Sequence, residues 1–224
     1  MGLFDGLVAY YDFRNWDLSN LVMGEKATNN GATLTTDHLG YENCAYRFDG
    51  NSWIIDNIIS QYHSYHNAWK EWLTYIVVFK SNNTNLNQIL VWWDKSSNND
   101  DDFYIMYNYW QVNRFRIYFK WWDWKEFSWY FSINNATDWN WHILSVYAHG
   151  NSWTKEIWFD WQQITSFTTE YNEKSNSYNN FNYSAIWAKN NYGNLSNWFI
   201  WDISLVMLFK WNINHKLLYK LLMY

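Results

Sequence analysis

Proline is missing from this chain, and cysteine and glycine are scarce: its 224 residues include no Pro, 1 Cys and 8 Gly. Average usage would place roughly 16 Gly and roughly 11 Pro in this length. The lone Cys44, within "NCAYRF", excludes an intramolecular disulfide and reads as a small buried hydrophobe. Charged residues make up only 17%, and arginine is a minority of the 16 basic residues. The net charge of −5 and the pI of about 5.6 speak against nucleic acid as the main partner. No apolar run reaches the roughly 18 residues that a membrane-spanning helix needs. The opening "MGLFDGLVAYYDF" has no basic region followed by an apolar run, so no secretory leader is visible.

Aromatic residues are abundant instead: 20 Trp, 19 Tyr and 14 Phe, within an apolar content of 49% that is ample for a core. Asn, Tyr, Ile, Lys and Phe are the favoured types, a skew that AT-rich codons produce and that accounts for missing proline without a structural cause. Short β-rich runs recur along the chain, including "LVAYYDF" (7–13), "CAYRFDG" (44–50), "LTYIVVFK" (73–80), "QILVWW" (88–93) and "DFYIMYN" (102–108). They continue through "VNRFRIYFK" (112–120), "EFSWYFSI" (126–133), "NYSAIWAK" (182–189) and "WFIWDISLVMLFK" (198–210). Asn, Ser, Asp and Gly clusters punctuate them, a spacing that predicts a two-sheet antiparallel sandwich. Two segments depart from it. Residues 57–73 have a weak helical period, and 214–224 place Leu217, Leu218, Leu221 and Leu222 at helical spacing behind Asn214, an N-cap type.

The stretch "TDWNWHILSVYAHGNSWTKEIWFDWQQI" (137–164) is the most informative. Alternation over 141–148 sets Trp141, Ile143, Ser145 and Tyr147 on one face and His142, Leu144, Val146 and Ala148 on the other. Strands at 154–160 and 162–166 then meet at Asp160-Trp161, where a hairpin wants Asn-Gly or Asp-Gly because both central residues take positive φ. A bulky tryptophan is strained there.

These runs, in this order, resemble the laminin-G-like, concanavalin-A-like jelly-roll family over nearly the whole chain, which implies one domain spanning 1–224. "GLVAYYDF" is similar to the family's opening strand, and "GATLTTDHLGYENCAYRFDGNSWIID" to its most specific segment. "TDWNWHILSVY", "KEIWFDWQQI", "AIWA" and "FIWDISLVMLFKWNINHKLLYKLL" follow the family's later strands and its short C-terminal helix. In that alignment Trp141 is the family's own tryptophan, while Trp139, Trp161, Trp187 and Trp201 stand where the family has glycine. Glycine has a physical reason at such turn and close-packing positions. The expectation is that the gene uses UGA for glycine and that these tryptophans come from reading UGA as Trp. For that reason Trp16, Trp110, Trp121, Trp122 and Trp124 are not counted as sugar-stacking platforms.

Catalytic signals are weak. The E-x-D-x-x-E spacing of jelly-roll glycosidases is absent, as are G-x-S-x-G and H-E-x-x-H. Asp100, Asp101 and Asp102 read as a solvated loop run, His63 and His66 as neighbours on a surface helix, and His142 as structural. By resemblance, a Ca²⁺ near the first and last strands would use Asp12, Asp17 and Asp202, although Ser204-Leu205 stands where the family has a further carboxylate. In "NRFRIYFK", Phe115, Ile117 and Phe119 must face the core, because a slip by one residue would bury two arginines. Arg114, Arg116 and Tyr118 then face out, extended by Tyr104, Asn108 and Tyr130, and suit acidic sugars or carboxylates.

The resulting expectation is a non-catalytic recognition module for a glycan or glycoprotein, in an extracellular, cell-surface or virion-surface setting, with neither nucleic acid nor a membrane span. Two alternatives stand beside it: a diverged glycoside hydrolase or polysaccharide lyase, and a self-associating coat or fibre domain. Phe48, Phe115, Trp141, Ile143, Val146 and Phe159 are expected to be buried. Trp139, Trp161 and Trp187 are expected at turns, more exposed than Trp141.

Overall fold

A computed structural model describes residues 4–13, 17–55, 72–85, 87–94, 101–120, 125–149, 155–160, 162–165, 168–173, 183–186, 189–191, 194–196, 200–210 and 213–223. The weakly helical 57–73 segment, His63, His66, Trp161 and Trp187 lie mostly or wholly outside them. The described residues form the two-sheet antiparallel sandwich that the spacing of the β-rich runs predicts, in the jelly-roll arrangement that the resemblance implies. The first sheet has eight strands. Its main path runs β13 (Gln162–Ile164), β12 (Lys155–Phe159), β11 (Trp141–His149), β6 (Trp72–Lys80), β18 (Ile200–Phe209), β4 (Ala45–Asp49) and β3 (Thr33–Thr35), with β1 (Leu7–Asp12) paired to β18. The second sheet also has eight. Its order is β14 (Thr168–Glu173), β10 (Lys125–Ser132), β9 (Arg114–Lys120), β8 (Asp101–Tyr107), β7 (Gln88–Asp94), β15 (Tyr183–Ile186), β5 (Trp53–Ile55) and β2 (Thr28–Asn30). A small pair, β16 (Lys189–Asn191) and β17 (Asn194–Ser196), stands apart.

The main core lies between the sheets. Val77, Phe79, Leu144, Val146, Trp201 and Ile203 from the first meet Ile105, Phe115, Ile117, Trp129 and Phe131 from the second. Phe79 is central, with ring centroids 5.2 Å from Trp201, 6.3 Å from Phe159 and 6.4 Å from Phe115. These edge and tilted contacts suit aromatic quadrupoles. Of the residues expected inside, Phe48, Phe115, Ile143, Val146 and Phe159 are buried. Trp141 is only half-buried, because the alternation that sends Leu144 and Val146 inward sends Trp141 to the outer face. Cys44 is half-exposed rather than buried.

That outer face carries a second cluster. Ile76, Val78, Ile143, Leu205 and Met207 are covered by Leu218 and Leu222 of helix α1 (His215–Met223). Asn214 caps it as its position predicts, the carboxamide oxygen accepting the Leu217 N–H at 3.0 Å.

Among the described residues, the non-glycine residues at positive φ are Asn43, Asn87, Asn108, Asn113, Asn135, Asp160, Trp110 and Trp139. All but the last two are the side chains that tolerate this region. Trp139 sits at φ 65 in the turn before β11 and is 43% exposed; Trp110 sits at φ 58 and is 68% exposed. Trp139 thus meets the expectation of an exposed turn position. Trp201, for which no exposed turn is expected, lies within β18, is 1% exposed, and donates its indole N–H to Gln88. The Asp160 end of the two-residue β12–β13 connection has φ 44, while Phe159 pairs with Gln162 across it.

Asp160 and Asp138 hold His142 from both sides. Its Nδ1 is 3.0 Å from Asp160 and its Nε2 3.0 Å from Asp138, and Asp160 also accepts the Ile143 N–H at 2.9 Å. Burial alone would lower the imidazole pKa, but bonds and charge from Asp160 and Asp138 outweigh it and the pKa is raised. His215 behaves oppositely. Buried at the start of α1, 2.8 Å from the Ser145 hydroxyl and stacked on Trp158, it is pushed down to about 4 by desolvation, against the weaker pull of Glu156.

The two histidines bend the stability profile in opposite senses. His142 binds protons more tightly folded than unfolded, so its contribution is whole below about pH 6.5 and fades as pH rises through its raised folded value. His215 contributes above about pH 6.5, and that contribution is lost as pH falls toward about 4. Denaturation of the wild type across this range should therefore show a maximum near neutrality. In Asp160→Asn the alkaline decline should flatten while the acid limb stays. An unchanged alkaline limb would contradict the role given to His142.

Candidate ligand-binding face

The outer surface of the second sheet holds the residues that alternation in β9 turns away from the core. Phe115 and Ile117 are buried between the sheets, while Arg114, Arg116 and Tyr118 are on the opposite side, as expected. Strand register builds the rest. Arg116 lies opposite Met106 of β8 and Tyr130 of β10, and Tyr118 lies opposite Tyr104 and Ser128.

This face is not the solvated polar surface that the sequence suggests. Tyr104, Tyr118 and Tyr130 are buried in a second aromatic layer. The Tyr104 and Tyr118 rings stack at 4.7 Å, nearly parallel at 9°. Arg116 is set among tyrosines, its guanidinium 4.9 Å from the Tyr109 ring centroid, 5.2 Å from Tyr104 and Tyr118, and 5.7 Å from Tyr130. Its Nε and Nη2 donate to the Ser128 hydroxyl at 3.1 and 2.9 Å, and Nη1 donates to the Tyr109 hydroxyl at 3.3 Å. A guanidinium gives up hydration more readily than an ammonium and stacks on rings, which is how a charge persists in this setting. Arg114 lies 4.9 Å over Tyr130. Among the described residues, neither arginine has a carboxylate partner.

Asn108 belongs to the scaffold. It is fully buried just past β8, donates its carboxamide to the backbone oxygens of Asn83 and Asn85 at 2.9 and 3.1 Å, and accepts the Asn113 N–H at 2.7 Å. It therefore braces the turn that carries Arg114 and has nothing to offer a ligand. Ser128 and Tyr109 were not anticipated. Ser128 could have been read from its alternation with Tyr130, but Tyr109 lies beyond the strand end, where period carries no signal.

The aspartates expected to bind Ca²⁺ are not brought together. Asp202 is fully buried and bound by Arg47 through both oxygens, at 2.7 and 2.8 Å, with Lys80 3.3 Å away. Asp17 accepts the Ser19 N–H at 2.9 Å, and bonds from Ser19 hold its carboxyl below the usual range. Asp12 accepts the Tyr10 hydroxyl at 3.0 Å. Among the described residues no group of three or more His, Cys, Asp or Glu is placed to hold a metal ion. With two cations on Asp202, this set does not fit a calcium ion, which needs its carboxylate oxygens free.

No family model matches the sequence, and no curated protein matches it. Solved structures do match. A botulinum neurotoxin type C chain, reported to interact with two ganglioside molecules, superposes with a TM-score of 0.69 at 13% identity, covering 99% of this chain and 52% of the other. The fold resembles that of the botulinum neurotoxin binding domains. The binding domain of botulinum neurotoxin DC in complex with rat synaptotagmin II gives 0.65 at 14% identity, covering 100% and 53%. The same domain in complex with SialylT gives 0.66 at 13%, again covering 100% and 53%. This chain therefore spans about half the length of those neighbours, and the likeness is one of fold. Among the described residues, no helix is long and apolar enough to cross a membrane.

Proposed function

We propose that this chain is a non-catalytic recognition module that binds a glycan or glycoprotein through the arginine–tyrosine face of β8, β9 and β10. The observation that carries the reading is the pair Arg114 and Arg116. Both are half-exposed, both are backed by tyrosine rings, and neither has a carboxylate partner among the described residues. A cation with no carboxylate partner among the described residues is suited to a carboxylate or sulfate brought by a ligand, and the half-buried Tyr109 ring lies beside Arg116. The structural neighbours support the reading, since they are described with gangliosides, with SialylT and with synaptotagmin II. Fold likeness alone does not transfer a ligand, so the claim stands on the arginines.

A glycan array followed by calorimetry tests it, with wild type beside Arg114→Gln/Arg116→Gln. Glutamine preserves reach and hydrogen bonding while removing charge. Loss of two charge-assisted contacts should weaken binding by about tenfold or more. A bound glycan that the double variant holds equally well would move the site elsewhere.

A further inference from the structure

The first sheet presents a surface that the arginine–tyrosine reading does not use. Its outer face is divided. One half is apolar and roofed by α1. Across the other half runs a row of directly opposed residues: Trp141 of β11, Lys80 of β6, Asp202 of β18 and Arg47 of β4. A register shift between Ile203 and Leu205 marks the boundary. There His38 Nδ1 lies 2.7 Å from the Ser204 hydroxyl, and its ring meets Trp141 edge-on at 6.2 Å. His38 thereby anchors the 37–41 turn beside the row.

That turn is built to hold apolar side chains in water. Asp37 accepts the N–H groups of Leu39 and Tyr41 at 2.9 and 2.8 Å, and Gly40 takes φ 89. Leu39 is exposed and Tyr41 is 60% exposed. Ile200, two residues from Asp202 and on the same face of β18, is exposed as well. An exposed tyrosine beside an arginine matches the composition of protein-interface centres, and Leu39 and Ile200 add apolar surface around them.

Charge decides the occupant. Asp202 is fully buried and shared by two cations, so the row carries a surplus positive charge. Arg47, whose side chain is 47% exposed, presents Nε and Nη2 to Asp202 and keeps the other edge of its fork for a second acceptor. Asp49, opposite Ile200, turns its carboxylate onto the Asn51 N–H. An acidic group therefore fits at Arg47, with apolar groups on Leu39, Tyr41 and Ile200. Aliphatic Leu39 and Ile200 offer no hydrogen bond to sugar hydroxyls but do bury side chains, which favours a peptide over a saccharide. None of these residues is a tryptophan at a glycine position.

We propose that this half-face docks a segment of a partner protein in which an acidic residue is flanked by apolar ones. The test is an array of short peptides with Glu between Leu, Ile or Tyr, beside matched peptides with Lys for Glu and with Ser for the apolar positions, followed by fluorescence anisotropy. The acidic–apolar set should bind, and both replacements should lose about tenfold or more in affinity. Leu39→Ser/Tyr41→Ser, confined to an exposed turn, should weaken the hit by a similar factor. Arg114→Gln/Arg116→Gln should leave it unchanged, so this proposal and the glycan reading fail separately. Equal binding of the Lys peptides, equal binding by Leu39→Ser/Tyr41→Ser, or no peptide bound at all would each overturn it. So would an acidic oligosaccharide that binds wild type and is lost in the turn variant.

Discussion

Replacing Trp139 or Trp110 by glycine should make this protein more stable, whereas the same change at Trp201 should make it much less so. Tryptophan-to-glycine exchange normally removes buried surface and loosens the chain. At φ 65 and φ 58 the balance reverses. A bulky residue held in the left-handed region costs on the order of 1–3 kcal/mol. Trp139 recovers part of this by lying 5.0 Å from Lys80 and 5.7 Å from Arg47, and Trp110 by stacking on Tyr109 at 4.9 Å. Exposed contacts of this kind are worth about 0.5–1 kcal/mol, and glycine adds about 0.5–1 kcal/mol of unfolded-state entropy. At the middle of these ranges the net gain is about 0.5 kcal/mol for each site, or about 1–2 °C in Tm. Trp201 has no such strain and packs against Phe79 and Tyr107, so Trp201→Gly should lose about 4 kcal/mol or more. Thermal denaturation of the three single variants measures the contrast. A fall in Tm for both Trp110→Gly and Trp139→Gly would show that these positions do not call for glycine.

The same two positions bear on the gene. We expect UGA codons at 110 and 139, and UGG at 139, 161, 187 and 201 would end the recoding account. Trp201 is the weak member of the set, because the structure gives it a packed site instead of a turn.

Asp202→Ala should cost about 3 kcal/mol, the lower end of what breaking a buried ion pair exacts, since Arg47 can turn to solvent. Lys80 is the more damaging survivor. Its ammonium lies 4.9 Å from the Trp141 ring and 5.0 Å from Trp139, and loses its carboxylate to nothing. Asp202→Asn should fall between wild type and alanine, keeping an acceptor but not the charge. The triple change Asp202→Leu/Lys80→Met/Arg47→Leu should recover most of the loss, because well-packed apolar groups replace a buried ionic set at little cost. Urea denaturation would read all three. Stability within about 0.5 kcal/mol of wild type for Asp202→Ala would mean that the cluster contributes little.

Much of this architecture was legible in the chain itself. Long strands declare themselves in two ways: β9 and β11 by period-two alternation, and β6 and β18, buried on both faces, as continuous apolar runs. The capped helix was readable from Asn214 and the leucine spacing behind it. The demand for positive φ at the two-residue β12–β13 connection was readable from its length, and Asp160 meets it at φ 44. The three-residue strands β2 and β3 were not, since so short a run carries no period. Nor was the fate of the outward faces. Alternation says which side chains leave the core but not what they meet next. Register placed Ser128 and Tyr130 beside Arg116 and turned an expected polar surface into a buried tyrosine layer. Register also set Lys80 and Arg47 on either side of Asp202, so that a carboxylate expected to bind calcium is held in an ion pair. Which charges face one another is a property of strand pairing between residues far apart in the chain, and only the folded sheet decides it.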